Sequence, residues 1–388
     1  MDKICKVAYA TGSRADYGIV RHYLKKLNQD ENIDFSILVT GSHLDENYGM
    51  SINNIKADGF YIAFEANIEI DNKNNAGILH SMSLALDQFG YYFEKYKFDL
   101  LIILGDRYEM LSVAIAAAMQ KIPILHIHGG EVTYGNYDEF IRHCITKMSN
   151  YHFTSTETYR NRVLQLGENP KSVYYMGALG AENCLNIDES EVEAWVKKLE
   201  YKKYFVVAFH PETLTNVNLV QQVEYILKSV SRFQDKYMFI FIGSNADTGS
   251  NVIKNTWSQY TQTHHNVKYI ENINVDSYLY MVKNCIALIG NSSSGIIEAP
   301  SLGVCTINIG KRQKGRVRGN SVIDINCNQE EIEDAIQKII DSNVDEREIY
   351  NPYYLKDTAE NYFKTTKIIL ENLTAEPKKF YDISMDYK

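Results

Sequence analysis

Short apolar runs recur along this sequence, and segments with helical periodicity separate them. The clearest of these runs are CKVAYAT at residues 5–11, DLLIILGD at residues 99–106 and IPILHIHGG at residues 122–130. Apolar runs that alternate with amphipathic helices are typical of strands in a parallel sheet that helices cover on both faces. The alternation therefore predicts an α/β protein.

The alternation runs through the chain twice, with a polar, helix-like segment near residues 188–202 between the two series. The first series ends at SVYYMG, residues 172–177, and the second begins at KYFVVAFH, residues 203–210. A chain of 388 residues is also longer than one ordinary core can organise. We therefore expect two doubly wound, Rossmann-like domains, the first over residues 1–178 and the second over residues 179–360.

A net charge of −9 is not typical of a dedicated nucleic-acid-binding protein, although it leaves room for a local basic pocket. The cysteines lie far apart without a CxxC pair, which argues against a zinc site or a redox pair and fits a reducing compartment. The N-terminus shows no signal-peptide pattern, and no apolar run reaches the roughly 18 residues of a membrane span. The composition thus predicts a cytoplasmic protein with no nucleic-acid or membrane partner.

The segment Gly290–Glu298, GNSSSGIIE, follows an apolar run and is expected to open a helix. Small residues at such a turn let backbone N–H groups approach an anion, and a helix N-terminus favours negative charge. The hydroxyls of Ser292, Ser293 and Ser294 can donate hydrogen bonds to phosphate oxygens, and Glu298 could accept both hydroxyls of a ribose. A capped helix with a small-residue turn is the alternative interpretation.

A basic loop, KRQKGRVRG at residues 311–319, follows the apolar run CTINIG in an otherwise acidic chain. The loop is predicted to lie at the same sheet edge as GNSSSG, because both segments follow strands of the second series. A diphosphate needs compensating positive charge, which this loop can supply. A solvated surface loop is the alternative.

Polar residues also end the predicted strands of the first series. Arg14 lies in TGSRADYG, which is not a GxGxxG fingerprint and so gives no support for NAD. Asp106 and Arg107 end a run too apolar to continue into charged residues, although Asp106 could simply cap the next helix. His43 follows a predicted strand in the same way, and so does His210 in the second series.

The segment HIHGGEVTYGNYDEFIRH gathers several groups suited to proton transfer. His126, His128 and Glu131 come at the end of a predicted strand, and Asp138 and Arg142 share a helix face at i, i+4. Histidines and carboxylates beside Gly-Gly could bind a metal, and any single histidine could be a core residue. The combination favours acid–base chemistry.

The chain carries, in order, TGSRADYG, TGSHLDENYG, LGDRYE, HIHGGE, YDEFIRHCITKMS, FHPET, IGSNADTGS, GNSSSGIIEAPSLG and INIGKRQKGRVRG. Together these motifs resemble the UDP-N-acetylglucosamine 2-epimerase family over nearly the whole chain. GDRYE, HIHGGE and RQKGR look most like the hydrolysing branch, whose members make N-acetylmannosamine for bacterial sialic acid capsules. The resemblance implies two Rossmann-like domains of the glycosyltransferase B type, an active site in the interdomain cleft, and a last helix of about residues 360–388 that packs back on the first domain.

The resemblance also implies roles for individual residues. The second domain would hold the UDP, with His210 near the diphosphate and Arg14 reaching it from the first domain, while Asp106 and Asp138 would be catalytic carboxylates. The motifs and the resemblance together give these catalytic candidates: Asp106, Glu131, Asp138, His128 and His210. The substrate-binding candidates are Arg14, His43, Arg107, Arg142, Asn291, Ser292, Ser293, Ser294, Gly295, Glu298, Arg312 and Arg316.

One position departs from the family pattern. Many relatives have HIEGGE where this chain has HIHGGE, so His128 replaces a family carboxylate while Glu131 remains. Either His128 takes over the proton transfer, or Glu131 or Asp138 carries more of it.

The implied chemistry is an anti elimination of UDP from UDP-N-acetylglucosamine, followed by hydration of the resulting 2-acetamidoglucal to N-acetylmannosamine. It requires neither a nicotinamide cofactor nor a metal. The alternatives are a hydrolysing 2-epimerase for UDP-N,N′-diacetylbacillosamine, a glycosyltransferase of the same fold, and a non-catalytic UDP-sugar sensor. Because relatives are commonly dimers or tetramers, we expect a homo-oligomer.

Overall fold

The computed structural model describes residues 4–134, 136–201, 203–212, 218–243, 249–342, 349–374 and 376–383. The chain forms two compact units. The first contains the chain up to Glu131, Asp138–Leu179, and the chain from Leu355 onward. The second contains Val132–Tyr137 and Gly180–Tyr354. Neither unit is one continuous segment of the sequence.

The first unit is built on a seven-stranded parallel sheet. Its strands are β1 (Cys5–Thr11), β2 (Ile33–Thr40), β3 (Ile62–Ala66), β4 (Leu100–Leu104), β5 (Ile124–Ile127), β6 (Tyr151–Thr154) and β7 (Val173–Tyr175). They lie in the order β3-β2-β1-β4-β5-β6-β7, which is the doubly wound arrangement. The helices are α1 (Arg14–Gln29), α2 (Ile52–Ala57), α3 (Asn75–Lys95), α4 (Tyr108–Met119), α5 (Asp138–Met148) and α6 (Glu157–Gln165).

The second unit has a six-stranded parallel sheet. Its helices are α7 (Leu179–Asn183), α8 (Ala194–Lys197), α9 (Leu219–Phe233), α10 (Ser250–Thr263), α11 (Val275–Lys283), α12 (Ser294–Ile297) and, after the last strand, α13 (Gln329–Asp341). The strands are β8 (Tyr204–Ala208), β9 (Met238–Ile242), β10 (Val267–Ile270), β11 (Ala287–Gly290), β12 (Cys305–Ile309) and β13 (Val322–Ile325). Their order is β10-β9-β8-β11-β12-β13.

Strand β8 shows why these apolar runs form buried strands. Phe205 and Val207 belong to one hydrophobic cluster, while Tyr204, Val206 and Ala208 belong to another. Side chains alternate between the two faces of a strand, so both faces of this sheet are covered by apolar groups. A strand buried on both faces has no need of polar alternation, which explains the continuous apolar run.

Two predicted helices are shorter than the sequence indicated. The polar segment near residues 188–202 forms only α8 and a 3-10 helix at Lys198–Tyr201. The helix expected from GNSSSGIIEAPSLG is the single turn α12, followed by a 3-10 helix at Ala299–Leu302. Pro300 lacks a backbone N–H and disfavours helical backbone at the residue before it, so the α-helix cannot continue through it.

The last helix, α14 (Thr358–Glu371), belongs to the core of the first unit. Tyr362 contacts the rings of Tyr23 and Phe153, and its hydroxyl donates to the Gly177 carbonyl at 2.9 Å. The Tyr23 hydroxyl and Thr366 Oγ1 are 2.7 Å apart. The helix ends at Glu371, and the residues described beyond it are not helical. In the described ranges, no helix combines the length and apolar character needed to span a membrane.

Beyond α14, the terminal segment is fastened to the first unit by a buried carboxylate. Glu168 is 1% exposed. Its carboxylate oxygens lie 2.6 Å from Lys378 Nζ, 2.7 Å from Lys147 Nζ and 3.1 Å from His152 Nε2, and they accept hydrogen bonds from all three groups. Lys378 also donates to the Ser149 carbonyl. Burial raises the pKa of Glu168, but the hydrogen bonds from these partners outweigh burial and lower it to about 2.

Glu168→Gln is expected to lower the free energy of unfolding at pH 7 by about 3 kcal/mol, because it removes the buried carboxylate that pairs with the partly buried ammonium groups of Lys378 and Lys147. The folded-state pKa lies below the ordinary value of 4.5, so this contribution is complete above pH 4.5 and is lost as the pH falls toward 2. Urea unfolding at several pH values measures the difference between variant and parent. Glu157→Gln is the control, since Glu157 forms only an exposed pair with Arg160. Equal stability of Glu168→Gln and the parent at pH 7 would contradict the prediction.

Candidate active site

The candidate residues of the first unit follow neighbouring strands of its sheet. Arg14 begins α1 after β1, His43 follows β2, Asp106 follows β4 and His128 follows β5. Because these strands are adjacent and parallel, their carboxyl ends lie side by side. Open α/β sheets bind ligands at this edge. The topology therefore brings these predicted residues to one edge of the first unit.

Asp106 is held by an ion pair rather than by helix capping. The N-cap of α4 is Arg107, so the interpretation of Asp106 as a cap is wrong. Asp106 Oδ2 instead pairs with Nη2 of Arg142, which is buried in α5 with 3% of its side chain exposed. Asp138 is the first residue of the same helix. Arg142 thus fixes the Asp106 carboxylate against the helix that begins with Asp138.

Arg107 is bound by a protein carboxylate. Its Nε donates to Oε1 of Glu109 at 2.5 Å, and Glu109 is completely buried. A Cβ atom at position 12 would collide with the Glu109 side chain, so Gly12 is required for this arrangement. Sequence reasoning did not assign Glu109 a role. Its function in the structure is to orient Arg107.

His43 is a buried, neutral histidine near the same edge of the first sheet. It is fully buried, with Nε2 3.0 Å from Thr11 Oγ1 and Nδ1 2.8 Å from Ser51 Oγ. Burial and the positive charges of Arg107 and Arg14 lower its pKa to about 3. Both ring nitrogens are engaged by protein hydroxyls, so the geometry favours a structural role over the predicted substrate contact.

The two histidines of HIHGGE have different surroundings. His126 lies inside β5, fully buried, with Nε2 2.7 Å from the Gly105 carbonyl and Nδ1 3.1 Å from Thr146 Oγ1. The carbonyl can only accept, so Nε2 carries the proton and Nδ1 accepts from the hydroxyl. Burial lowers the pKa of His126 to about 3. His126 is therefore a satisfied, neutral core residue.

His128 lies just beyond β5 and faces a carboxylate. Its backbone has φ +66°, a left-handed conformation that is uncommon for a residue other than glycine. Its Nδ1 is 3.6 Å from Oε1 of Glu131, and that oxygen accepts a hydrogen bond from Ser155 Oγ at 2.6 Å. Within the described ranges, no three His, Cys, Asp or Glu side chains are placed to hold a metal ion. His128 and Glu131 form an imidazole–carboxylate pair.

In the second unit, Asn291 links two adjacent strand ends. It follows β11, and its side chain accepts from the His210 N–H at 2.7 Å and donates to the His210 carbonyl at 2.8 Å. The Asn291 carbonyl accepts from Arg312 Nη1 at 3.0 Å and from Gln313 Nε2 at 2.7 Å. Asn291 is fully buried. This one residue therefore fixes His210, Arg312 and Gln313 together.

These fixed groups are suited to an anion. Burial and the charge of Arg312 lower the pKa of His210 to about 3, so His210 is neutral beside a guanidinium. Gln313 is fully buried, and in the described part of the chain its Oε1 has no hydrogen-bond partner. Sequence reasoning missed Gln313, although a polar uncharged residue inside a basic loop was the available signal. The set offers both positive charge and neutral hydrogen-bonding groups.

The serine turn, residues 292–294, already uses part of its hydrogen-bonding capacity within the protein. Ser294 Oγ accepts from the Tyr278 hydroxyl at 2.9 Å, whereas Ser292 and Ser293 are half-buried. Gly295 packs against β12, and its carbonyl accepts from Thr306 Oγ1 at 2.8 Å. Because α12 is only four residues long, its dipole adds little. Anion binding here would rest on Ser292, Ser293 and their backbone N–H groups.

Glu298 and Arg316 occupy different settings. Glu298 ends α12, and a Cβ atom at position 180 would collide with its Oε1, so Gly180 leaves room for this carboxylate. Arg316 Nε donates to the Val132 carbonyl at 2.7 Å and Nη2 to Thr133 Oγ1 at 3.3 Å. Arg316 thus anchors the segment Val132–Tyr137, a role that sequence reasoning did not foresee.

Thr213 of FHPET and residues 244–248 of IGSNADTGS lie outside the described residues.

A family model described as UDP-N-acetylglucosamine 2-epimerase matches residues 25–367. The chain belongs to the UDP-N-acetylglucosamine 2-epimerase family. It is 47% identical over 387 residues to Polysialic acid biosynthesis protein P7 of Escherichia coli, covering 97% of each chain. It is 33% identical over 369 residues to UDP-N,N′-diacetylbacillosamine 2-epimerase (hydrolyzing) of Legionella pneumophila, covering 94% of this chain and 96% of that one.

The fold of this 2-epimerase family member also matches solved structures. The crystal structure of UDP-GlcNAc 2-epimerase from Neisseria meningitidis bound to UDP-GlcNAc has a TM-score of 0.79 at 18% identity. That match covers 95% of this chain and 100% of the other. The predicted α/β fold with two doubly wound units is confirmed. The roles of individual residues stay predictions.

Chemically, this 2-epimerase family member has two sets of groups. The first unit offers a carboxylate, Asp106, and an imidazole–carboxylate pair, His128 and Glu131, which can move protons. The second unit offers a guanidinium, Arg312, and a neutral histidine, His210, which can stabilise a developing phosphate charge. An elimination needs both proton transfer and stabilisation of the charge on the leaving group.

Proposed function

We propose that this protein is a hydrolysing UDP-N-acetylglucosamine 2-epimerase, which converts UDP-N-acetylglucosamine and water to N-acetylmannosamine and UDP. The observation that carries the proposal is the Asp106 carboxylate, held by buried Arg142 at the sheet edge that also bears His128 and Glu131. In this proposal the protein is a cytoplasmic homo-oligomer that supplies the first intermediate of sialic acid biosynthesis.

The proposed reaction has two stages. A base of the first unit removes the C2 proton, the electron pair forms the C1–C2 double bond, and the C1–O bond breaks to release UDP. Arg312, His210 and the serine turn stabilise the departing diphosphate, with Glu298 on the ribose. Water then adds its hydroxyl to C1 of the glucal, and a proton is delivered to C2 on the other face. Asp106 and Asp138 are the carboxylates proposed to serve these proton transfers.

Two similarities support the hydrolysing form. The Escherichia coli relative carries the name of a polysialic acid biosynthesis protein, which agrees with the resemblance to the branch that makes N-acetylmannosamine for sialic acid capsules. The Legionella pneumophila relative is named as hydrolyzing. Release of the free sugar, rather than a UDP-linked epimer, is therefore the outcome proposed for this chain.

The test is incubation of the purified protein with UDP-N-acetylglucosamine in deuterated water, followed by mass spectrometry and NMR. The expected products are UDP and free N-acetylmannosamine with one deuterium at C2. UDP-N-acetylmannosamine as the end product would instead indicate a non-hydrolysing epimerase. Sugar transfer to an acceptor without deuterium at C2 would indicate a glycosyltransferase, and UDP-sugar binding without turnover would indicate a sensor.

A second candidate is hydrolysing epimerisation of UDP-N,N′-diacetylbacillosamine, which the Legionella pneumophila relative favours by its coverage of 94% of this chain. The two substrates differ at C4 and C6 of the sugar. Parallel assays of both nucleotide sugars, compared as kcat/KM, separate the candidates. A preference for the bacillosamine derivative would replace the leading proposal while keeping the same reaction.

A further inference from the structure

The turn at residues 128–131 is fixed by the strands and helix around it. The His128 N–H donates to the Phe153 carbonyl at 2.8 Å, which extends the pairing of β5 and β6. Arg162 Nη1 in α6 donates to the Gly130 carbonyl at 2.7 Å. Gly130 has φ +79°, and a Cβ atom there would collide with the Tyr159 carbonyl. The backbone that carries His128 and Glu131 therefore has a defined path.

The Glu131 carboxylate is buried beside the His128 ring. Glu131 is 2% exposed, and its Oε1 both accepts the Ser155 hydroxyl at 2.6 Å and lies 3.6 Å from His128 Nδ1. Ser155 is fully buried just beyond β6, so its hydroxyl is fixed by the sheet. A carboxylate in this setting is well placed to act on the ring and poorly placed to reach a substrate.

We propose that Ser155 is a positioning residue that acts through Glu131 to hold the His128 imidazole and to stabilise its positive charge when it accepts a proton. This inference rests on the proposed function, and it narrows the candidates for the C2 base to His128 and Asp138. A carboxylate that orients a catalytic histidine and stabilises the imidazolium is a recurring arrangement, and removal of such an outer partner lowers activity by roughly 10–100-fold.

Other groups facing this cluster do not replace Glu131. His126 in β5 is neutral, because burial lowers its pKa to about 3. Tyr362 in α14 has its pKa raised by burial, by Tyr23 and by the charge of Glu131, so it stays protonated. Arg162 in α6 binds the Gly130 carbonyl and carries positive charge. Among these groups, Glu131 is the one that supplies negative charge to the His128 ring.

The decisive experiment is NMR titration of the His128 ring in the substrate-free protein, assigned with His128→Gln. Glu131→Gln removes the charge and keeps the shape, and it is expected to lower the His128 titration midpoint by about one pH unit. Ser155→Ala should lower it by a smaller amount, because the carboxylate is no longer held against the ring. Ser155→Thr keeps the hydroxyl and should restore the parent value.

Kinetics of the same variants supply the second readout. Ser155→Ala is expected to lower kcat about 10-fold with little change in KM, and to move the acidic limb of the pH–rate profile in the direction of the NMR shift. Ser149→Ala is the matched control, since Ser149 is also fully buried and its hydroxyl donates to the Ile145 carbonyl. That control should change neither the profile nor the His128 midpoint.

The outcomes separate the inference from the proposed function. An unchanged His128 midpoint in Ser155→Ala would overturn the inference, whatever the activity and whatever the midpoint in Glu131→Gln. If the parent protein released no N-acetylmannosamine, the proposed function would fail, and the NMR comparison would still decide whether Ser155 and Glu131 control the His128 ring.

Discussion

Asp106→Asn is expected to lower kcat about 10³-fold while leaving the affinity for UDP within about threefold of the parent value. A positioned general acid or base contributes roughly 10²–10⁴-fold to a rate, and asparagine can neither take up nor release the proton. Apart from Arg14, the UDP-binding groups proposed here lie in the second unit, and they do not include Asp106. Sugar release measured by coupled assay gives kcat, and calorimetric titration with UDP gives the affinity.

The structural part of this effect must be separated from the chemical part. Asp106 pairs with buried Arg142, so Asp106→Asn alone is expected to destabilise the fold by about 3 kcal/mol. The double variant Asp106→Asn/Arg142→Gln removes both charges and should recover much of the stability without recovering turnover. Exposed Asp34→Asn is the control for the substitution itself. More than a tenth of the parent kcat in a folded Asp106→Asn protein would refute the catalytic role.

Asn291→Ala is expected to lower the free energy of unfolding by about 3 kcal/mol and to weaken UDP binding at least about 30-fold. Each buried polar group left without its partner costs about 1–3 kcal/mol. This substitution removes the hydrogen-bond partner of both the N–H and the carbonyl of His210. The affinity falls because His210 loses its fixed position, whereas Arg312 binds the main-chain carbonyl that alanine keeps. Urea unfolding and UDP titration of the same preparations measure the two effects.

Asn308→Ala provides the matched control for Asn291→Ala. Asn308 is also a buried asparagine, on the neighbouring strand β12, but its side chain donates to the carboxylate of half-exposed Asp324. We expect a loss of stability of about 1 kcal/mol and unchanged UDP affinity. Equal effects of the two substitutions on UDP binding would show that Asn291 has no special role.

The sequence predicted the central strands well, because a strand buried on both faces consists almost entirely of apolar residues. All five residues of β4 are fully or almost fully buried, and the run LLIIL has no polar residue. Two of the edge strands lack that signal: β3 and β13 are half-exposed, and neither was identified from the sequence. The helix α10 was missed for a related reason, since few of its residues are buried, whereas α11 was missed although it buries about half of its residues.

The candidate site shows the same division. Strand ends could be located from the apolar runs, which placed Asp106, His128, His210 and Asn291 at sheet edges. Several of the partners that orient them come from distant parts of the chain, and no local pattern marks those partners. Ser155 and Gln313 look like ordinary polar residues in the sequence, and only packing brings them against Glu131 and Asn291.

The placement of α14 has a consequence for the order in which the protein is made. Synthesis proceeds from the N-terminus, yet Tyr362 and Ile369 belong to the core that also contains Val20 and Tyr23. The second unit closes at Tyr354, before that helix begins. The first unit to be synthesised is thus the last able to complete its core. Until about residue 371 leaves the ribosome, the apolar side chains of α1 lack their partners on α14.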